Sequence, residues 1–572
     1  MFSVILRLLA FYLKFSRPLV VFSVLVGLLA GSTSVVLIGL INARVSNPDA
    51  GAGEFIWVFV ALAFAQFVLT IIPGILATHL AERTAFDLRL RLSRQILRTP
   101  LRQLEEAGNH KILATLTQDI QSISMACIQV PQVCTSIGVL IGCFVYLGSL
   151  SSRMLTVLII LLAVAVISTK LLEARAGVFM KRAREDWDVL VKNFTSLADG
   201  MKELKLHRRR REDFFSSVLA ANVGQLRHNN TMTGTTYAIV NGWGMVLYFI
   251  VVGLLIFVLP DYDSRIGRDE LTGYAIAVLF MRSYVVALMV LLPYFAQGAV
   301  ALRKLESLGF ALSQFRGDID NHAYEPKTAS FERLELKSVT HSYYRDREDS
   351  DFILGPIDLT LNAGEAIWIV GGNGSGKTTL AKLLTGLYVP ATGEIRINDE
   401  LVTDDNRDQY RQNFSALFTD FYLFENLLGL NDSSDEKNDG KLDALARDYL
   451  DRLHLDRKVQ VKDGKLSTLE LSHGQRKRLA LLTAFLEDRP IYVFDEWDSG
   501  QDPVFKKVFY LEVLQELKVR GKTIVVISHE DRYFQLADRI IRLEFGKVEY
   551  ETSFEQEVGL TGFADFSGGR IP

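Results

Sequence analysis

Cysteine is nearly missing from this 572-residue chain, with three in all. Cys127, Cys134 and Cys143 share one apolar stretch, so their spacing supports neither a disulfide framework nor a zinc site, and they read as small buried apolar residues. Net charge is almost absent too: 63 Lys+Arg stand against 66 Asp+Glu, for −3. A disordered chain is excluded, because 49% of the residues are hydrophobic and only 23% charged. A secretory signal is also not expected. The first residues, MFSVILRLLAFYLKF, are apolar with Arg7 and Lys14 interspersed, and no small-residue cleavage site follows. An amphipathic helix lying on a membrane surface fits them.

The near-zero balance hides two blocks. Residues 1–310 hold 30 basic and 20 acidic side chains, and residues 311–572 hold 33 and 46, so the halves carry +10 and −13. Long apolar runs fall in the first block and ordinary polarity in the second, which excludes a single soluble globule.

Crossing the hydrocarbon core of a bilayer takes about 20 apolar helical residues, because lipid cannot satisfy stray backbone polar groups. Six stretches qualify, approximately 18–41, 55–76, 128–150, 154–172, 237–259 and 271–295. The connection SLSSR makes the third and fourth a tight helical hairpin. Connecting segments 81–127 and 173–235 hold 7 and 12 Lys+Arg, whereas 46–54, 151–153 and 261–270 hold 0, 1 and 2. The positive-inside bias therefore places the two long loops, the N-terminus and the C-terminal half in the cytoplasm. Both loops keep helical periodicity (FDLRLRLSRQILRTPL; WDVLVKNFTSLADGMKELKL), so spans two to five are expected to project below the bilayer as paired rods. Breaks near Glu106 to Asn109 and near Asp199 to Gly200 suit short cross-helices at their tips. The run Arg208 to Arg211 reads as facing membrane lipid or a protein partner; nucleic acid is not expected. The polar, aperiodic segment 311–330 reads as a linker between a transmembrane domain, 1–310, and a soluble domain, 331–572. Within the latter, NDSSDEKNDGK at 431–441 reads as a surface loop.

Chemistry concentrates in the second domain. Gly371-Gly372-Asn373-Gly374-Ser375-Gly376-Lys377-Thr378, with Thr379 next, fits G-x-x-x-x-G-K-[ST] between a β-type run (AIWIV) and a helical one (TLAKLLTGL). Glycines let backbone N–H groups converge on phosphates, and the helix N-terminus adds a favourable dipole. Lys377 would neutralise the β and γ phosphates of ATP, and Thr378 would offer its hydroxyl to Mg²⁺. A second apolar strand, IYVF, ends in Asp495 and Glu496. Asp495 at that sheet edge would reach the Mg²⁺ shell, and Glu496 would polarise the attacking water.

Between them Leu471-Ser472-His473-Gly474-Gln475 opens an apolar-periodic helix. It resembles the LSGGQ signature of the ATP-binding cassette (ABC) family, with His473 in place of one glycine. By that resemblance Tyr343 in VTHSYY corresponds to the aromatic that stacks on adenine, Asp502 in SGQDP to the D-loop aspartate, and His529 in VISHED to the switch histidine that senses the γ phosphate. One position departs: the segment FSALFTDFYLF has Thr419 where the family usually supplies a glutamine to the metal, leaving Thr419 or Asp420 to substitute. LSHGQRKRLALL, FLEDRPIYVFDEWDSGQDPVFKKVFY and the glutamine-less ALFTDFYLF together resemble the cyclic peptide exporter subfamily, the half-transporters of siderophore precursors, lipopeptides and lasso microcins.

The resemblance implies a six-helix all-α transmembrane domain followed by an α/β P-loop cassette. It further implies an ATP-hydrolysing homodimer of twelve spans in a bacterial inner membrane. Signature residues would contact nucleotide bound to the opposite cassette, and loop tips 101–109 and 199–213 would carry its closure into the helices for alternating access. Cargo would be a cyclic or modified peptide, taken without a periplasmic binding protein; whether a periplasmic adaptor joins is left open. Arg282 near mid-membrane is a candidate cargo contact, because an ionisable group there is costly without a function or a partner. Asn241 and Tyr248, seven apart on one helical face, could line the same cavity or bond between helices. A lipid or lipid-linked oligosaccharide flippase of the same architecture is the competing reading, and a membrane-tethered regulatory ATPase the next. A salt-sensitive interface between Arg208 to Arg211 and cassette acids is also expected.

Overall fold

The computed structural model describes residues 2–46, 52–258, 267–307, 330–345, 350–430 and 440–552. Leu259 at the end of the fifth expected span, residues 311–329 of the expected linker and residues 431–439 of the expected surface loop lie outside the described residues. Two compact units divide the chain. The first is Met1–Leu97 with Asn109–Arg316, and the second is Arg98–Gly108 with Gly317–Pro572.

In chain order the α-helices up to residue 307 are α1 (Phe2–Ser46), α2 (Ala52–Arg98), α3 (Leu101–Ala107, part of the second unit), α4 (Asn109–Ala114), α5 (Ile120–Ile128), α6 (Val130–Leu150), α7 (Ser152–Asp199), α8 (Met201–Leu206), α9 (Arg208–Asp213), α10 (Ala221–Gly253) and α11 (Arg268–Ser307). The surface helix expected at the N-terminus is continuous with the first span, and Pro18 sits inside α1. Among the described residues, six helical segments are long and apolar enough to cross a membrane, and those starting at Ile56, Ser152 and Arg208 run 43, 48 and 51 residues. At 1.5 Å per residue, each is about twice the roughly 30 Å hydrocarbon thickness, so much of each must lie beyond it. Short cross-helices do form at the tips. α3 ends at Gly108, whose φ of 82° needs a residue without Cβ, and α8 follows Gly200.

Packing in the first unit is sorted by side-chain size. Close approach of α1 to α6 depends on glycine: a Cβ on Gly31 would lie 2.4 Å from the Gly138 carbonyl carbon, and one on Gly142 would lie 2.6 Å from Val35 Cγ2. Gly27 and Gly31, like Gly138 and Gly142, are four apart on one helical face, the spacing that lets backbones touch where lipid supplies no hydrophobic drive. The α6–α7 hairpin turns at Ser151, whose hydroxyl caps α7. Tyr274 of α11 donates from its hydroxyl to the Leu147 and Ser151 carbonyls, both at 2.7 Å. Beyond the spans, α7 and α10 pair through Ala183, Leu190 and Leu226. Asn229 Nδ2 donates to Asp186 across that pair at 2.7 Å.

The second unit is a layered α/β structure. Its strands are β1 (Arg333–Arg345), β2 (Ser350–Asn362), β3 (Ala366–Gly371), β4 (Thr392–Ile397), β5 (Glu400–Leu401), β6 (Phe414–Leu417), β7 (Val461–Lys462), β8 (Lys465–Leu466), β9 (Ile491–Asp495), β10 (Thr523–Ile527), β11 (Arg539–Glu544) and β12 (Lys547–Thr552). β2-β1-β4-β5 form an antiparallel sheet, and β12-β11-β3-β10-β9-β6 a larger one that is parallel from β11 to β6. Every residue of β9 and β10 is buried, as expected of parallel strands covered on both faces. Alternation sends Ile367, Ile369, Val493 and Val525 toward the antiparallel sheet and the helix Lys377–Leu384. Trp368, Tyr492, Phe494 and Val526 face the helical layer that contains the signature helix His473–Glu487.

The α1–α6 contact yields a paired expectation. Gly31→Leu should cost about 1–3 kcal/mol by overpacking and lower the thermal midpoint of the purified protein. Gly177→Ala, where a Cβ meets nothing within 4 Å, should be neutral or stabilising by up to about 1 kcal/mol. Equal midpoints for the two variants would contradict the backbone contact.

Candidate functional site

One sheet edge collects the chemistry. β10 pairs Ile527 with Ile369 of β3 on one side and with Asp495 of β9 on the other. β9 and β10 therefore finish level, with β3 two residues longer, and three polar loops leave from the same edge: Gly371 to Gly376, Asp495–Glu496 and Ser528–His529.

The phosphate loop is shaped by its glycines. At Gly371 a Cβ would lie 2.2 Å from the Leu543 carbonyl oxygen, and at Gly376 2.8 Å from Leu354 Cδ1, so both are required by packing. Around Gly372 and Gly374, by contrast, nothing lies within 4 Å of the Cβ position, and Asn373 between them is exposed. That opening is the cradle a nucleotide would fill. Lys377, 5% exposed, folds over the loop and donates to the Gly371 and Gly372 carbonyls at 2.9 and 3.0 Å. Burial pushes its ammonium below the usual lysine range, while Glu496 and Asp495 pull it back. Thr379 is buried in the same helix.

Asp495 is fully buried, and neither of its carboxylate oxygens closes an ordinary hydrogen bond. Its pKa is raised, first by desolvation; the nearby Thr378 hydroxyl opposes this, and the charges of Glu496 and Asp420 add to it. A hydroxyl beside under-satisfied carboxylate oxygens is a donor set of hard oxygens, which fits Mg²⁺ bound together with a nucleotide. Both Thr419 and Asp420 are exposed, and the charge of Asp420 acts on Asp495.

Glu496 adopts φ +48°, a left-handed conformation that costs a non-glycine residue about 1–3 kcal/mol and that clusters at functional sites. Its N–H extends the ladder to the Ile527 carbonyl at 2.9 Å. Its carboxylate Oε1 stands 3.5 Å from His529 Nε2. The structure thus brings together Lys377, Thr378, Asp495, Glu496 and His529. Tyr343 has its backbone in β1, but its side chain lies outside the described residues.

The signature residues form a second cluster. Ser472 Oγ accepts from the Gln475 N–H, and Gln475 Oε1 from the Ser472 N–H, a reciprocal capping box at the N-terminus of the helix. Leu471 packs against the helical-layer core, while Ser472 and His473 are exposed. Gln501 Nε2 donates to the Gly474 carbonyl at 2.9 Å. Asp502 caps the next helix by accepting from the Phe505 N–H at 2.9 Å and pairs with Arg478, whose guanidinium lies 3.8 Å over the Phe505 ring. That backbone N–H, with Arg478 beside it, holds the Asp502 carboxyl below the usual range.

Of the candidate cargo residues, Arg282 and Tyr248 meet: the guanidinium lies 5.6 Å from the ring centroid, and the phenol donates to the Val278 carbonyl at 2.9 Å. Asn241, seven residues before Tyr248 on α10, is exposed.

Residues 354–499 match the ABC transporter family, and residues 19–259 match the ABC transporter transmembrane region. ATP-binding protein SyrD of Pseudomonas syringae pv. syringae is 35% identical over 540 residues, 93% of this chain and 94% of that protein. This chain belongs to the ABC transporter family. A second relative, the ATP-dependent lipid A-core flippase of Dechloromonas aromatica (strain RCB), is 31% identical over 228 residues, 38% of each chain. A solved bacterial Atm1-family ABC exporter with ATP bound shares the fold at a TM-score of 0.73 and 15% identity, covering 97% of this chain and 99% of that one. The transporter is accordingly a multi-pass membrane protein with six spans and an ATP-hydrolysing cassette.

The motifs did not reveal how α3 is held in the second unit. Glu105 accepts from Lys382 Nζ at 2.8 Å and from the Tyr388 hydroxyl at 2.5 Å. Lys382 lies on the same helix as Lys377, so α3 grips the helix that carries the phosphate loop. Beneath it Tyr388 stacks on His341 at 4.8 Å, and His341 Nδ1 lies 3.1 Å from the Val389 carbonyl. Desolvation, with Arg102 nearby, lowers the His341 pKa. A histidine depressed in the folded state binds its proton more readily when unfolded, so stability is lost as pH falls through the unfolded value of about 6.5. Between pH 7.5 and 5.5 the thermal midpoint of His341→Phe should drop less than that of wild type, by on the order of 2 °C. Parallel curves would remove His341 from this account.

Proposed function

We propose that this chain is an ATP-driven exporter of a cyclic or otherwise modified peptide, working as a homodimer by alternating access across a bacterial inner membrane. Similarity to SyrD over nearly the full length of both chains supports a transporter of that layout, whereas the lipid A-core flippases match 36% to 51% of this chain. The subfamily-like segments around Thr419, His473 and Trp497 support the peptide reading.

Roles follow from the sheet edge. ATP would lie in the cradle of Gly371 to Gly376, with Lys377 released from the loop carbonyls onto the β and γ phosphates and Tyr343 against adenine. Thr378 and Asp495, with Thr419 or Asp420 as the substitute for the missing glutamine, would hold Mg²⁺, which when bound neutralises phosphate charge. Glu496 would orient and deprotonate the attacking water, and His529, 3.5 Å from it, would sense the γ phosphate. Exposed Ser472 and His473 at a helix N-terminus suit an anionic group brought by a second copy, which gives two composite sites. Asp502, fixed by Arg478, would border that contact. Closure would reach the spans through α3 and through the tip at α8 and α9, where Arg208 to Arg211 are exposed. With the loops and cassette cytoplasmic, Arg282 and Tyr248 would present a cation and an aromatic face to an anionic group of the cargo.

In proteoliposomes, soluble cyclic lipopeptide should stimulate ATP hydrolysis several-fold in wild type and much less in Arg282→Ala at equal basal rate. Stimulation by lipid A-core alone, with none by peptide, would replace this reading with the flippase. Stimulation by neither, with no transport, would favour a regulatory ATPase.

A further inference from the structure

The signature helix carries a lysine that neither the motif nor the phosphate loop uses. Lys477 is 3% exposed, although an ammonium is strongly hydrated and is not buried without compensation. Its Nζ donates to the Glu496 carbonyl at 2.9 Å and to the Ser499 carbonyl at 2.8 Å. Its own carbonyl accepts from Trp497 Nε1 at 3.1 Å, and Trp497 is stacked on Phe509 at 4.2 Å. Backbone and side chain of one residue are thus both tied to the turn 496–499. Buried Asp498 in that turn supplies the main charge opposing the desolvation of Lys477. Asp498 Oδ2 in turn accepts from Ser528 Oγ at 3.1 Å. Ser528 also accepts from the Tyr510 hydroxyl at 2.8 Å and the Glu530 N–H at 3.0 Å, so it is pinned immediately before His529.

The left-handed backbone of Glu496 needs such a partner. At φ +48° its conformation persists only where the surroundings over-determine it. A group with several donors and a positive charge can satisfy two carbonyls and balance Asp498 together; a neutral amide or thioether cannot do both.

We propose that Lys477 is a positioning residue: it fixes the backbone of Glu496 and, through Asp498 and Ser528, the loop bearing His529, and so transmits engagement of the signature helix to hydrolysis. The proposal rests on Glu496 acting as the base and on the signature acting on the opposite nucleotide. A lysine that merely filled space would affect folding alone.

The test uses the full-length protein in nanodiscs, with kcat, KM for ATP and thermal midpoint measured for K477M, K477R, the double variant K477M with D498N, and E496Q. K477M should lose kcat by on the order of tenfold to a hundredfold, the penalty of a misplaced catalytic group, with KM within about twofold. K477R should recover most of the loss. The double variant removes the orphaned buried carboxylate, so it stays folded if K477M alone does not, and it should show the same low kcat. Wild-type kcat per folded molecule in K477M or the double variant, alongside an inactive E496Q, would overturn the role of Lys477. Wild-type hydrolysis by E496Q would instead overturn the assignment of the base.

Discussion

The register of three parallel strands is the constraint on which the rest depends. Because β10 aligns Ile369 of β3 with Asp495 of β9 through Ile527, the phosphate loop, the paired acids and the loop with His529 leave the same sheet edge. A slip of one residue would turn Asp495 to the opposite face and bring Phe494 or Glu496 into its place. The strands resist that slip by burial. Phe494 and Tyr492 are fully buried on one face and Ile491 and Val493 on the other, and truncating such an aromatic costs about 3–5 kcal/mol. Asp495 buried with its carboxylate under-satisfied and Glu496 in a left-handed conformation are costs borne at that edge, where a nucleotide and its metal would offset the first.

Around the edge, elements are held by contacts that are short in space and long in sequence. Glu105 in α3 meets Lys382, 277 residues later, one and a half turns along the helix from Lys377. That partly exposed ion pair would be modest alone, but the Tyr388 hydroxyl and the buried His341 beneath it give α3 a fixed seat. The signature helix is joined on its inner side to the turn after β9 through Lys477, and at its start to Gln501 through Gly474. Its N-terminal Ser472 and His473 stay exposed, as a surface meant for another chain would be.

Much of this was legible in the sequence, for reasons that differ by element. Long apolar runs announce the six spans because lipid admits little else. The phosphate loop, Asp495 and Glu496 are local motifs whose strand and helix context is also local. The tips at Gly108 and Gly200 were readable from a break in helical period. The N-terminal segment reads as a surface helix, and its continuity with the first span across Pro18 is not visible in the sequence. Pairings such as Glu105 with Lys382, or Arg282 with Tyr248, need the fold before they exist. The two G-x-x-x-G runs at 27–31 and 138–142 were visible signals of the α1–α6 contact that apolar composition obscured. The choice between Thr419 and Asp420 stays open, since both are exposed and no linear pattern encodes which of them approaches the metal.

The central claim is that a phosphate loop and a signature from different copies make each ATP site. Single-turnover hydrolysis by purified heterodimers of differently tagged chains tests it, using Lys377→Ala to disable a phosphate loop and Gly474→Asp to disable a signature. With one defect in each chain, one composite site stays intact and should hydrolyse bound ATP; with both defects in one chain opposite a wild-type partner, no site is intact and hydrolysis should vanish. Activity in the second heterodimer and none in the first would contradict the account, because each cassette would then be working alone.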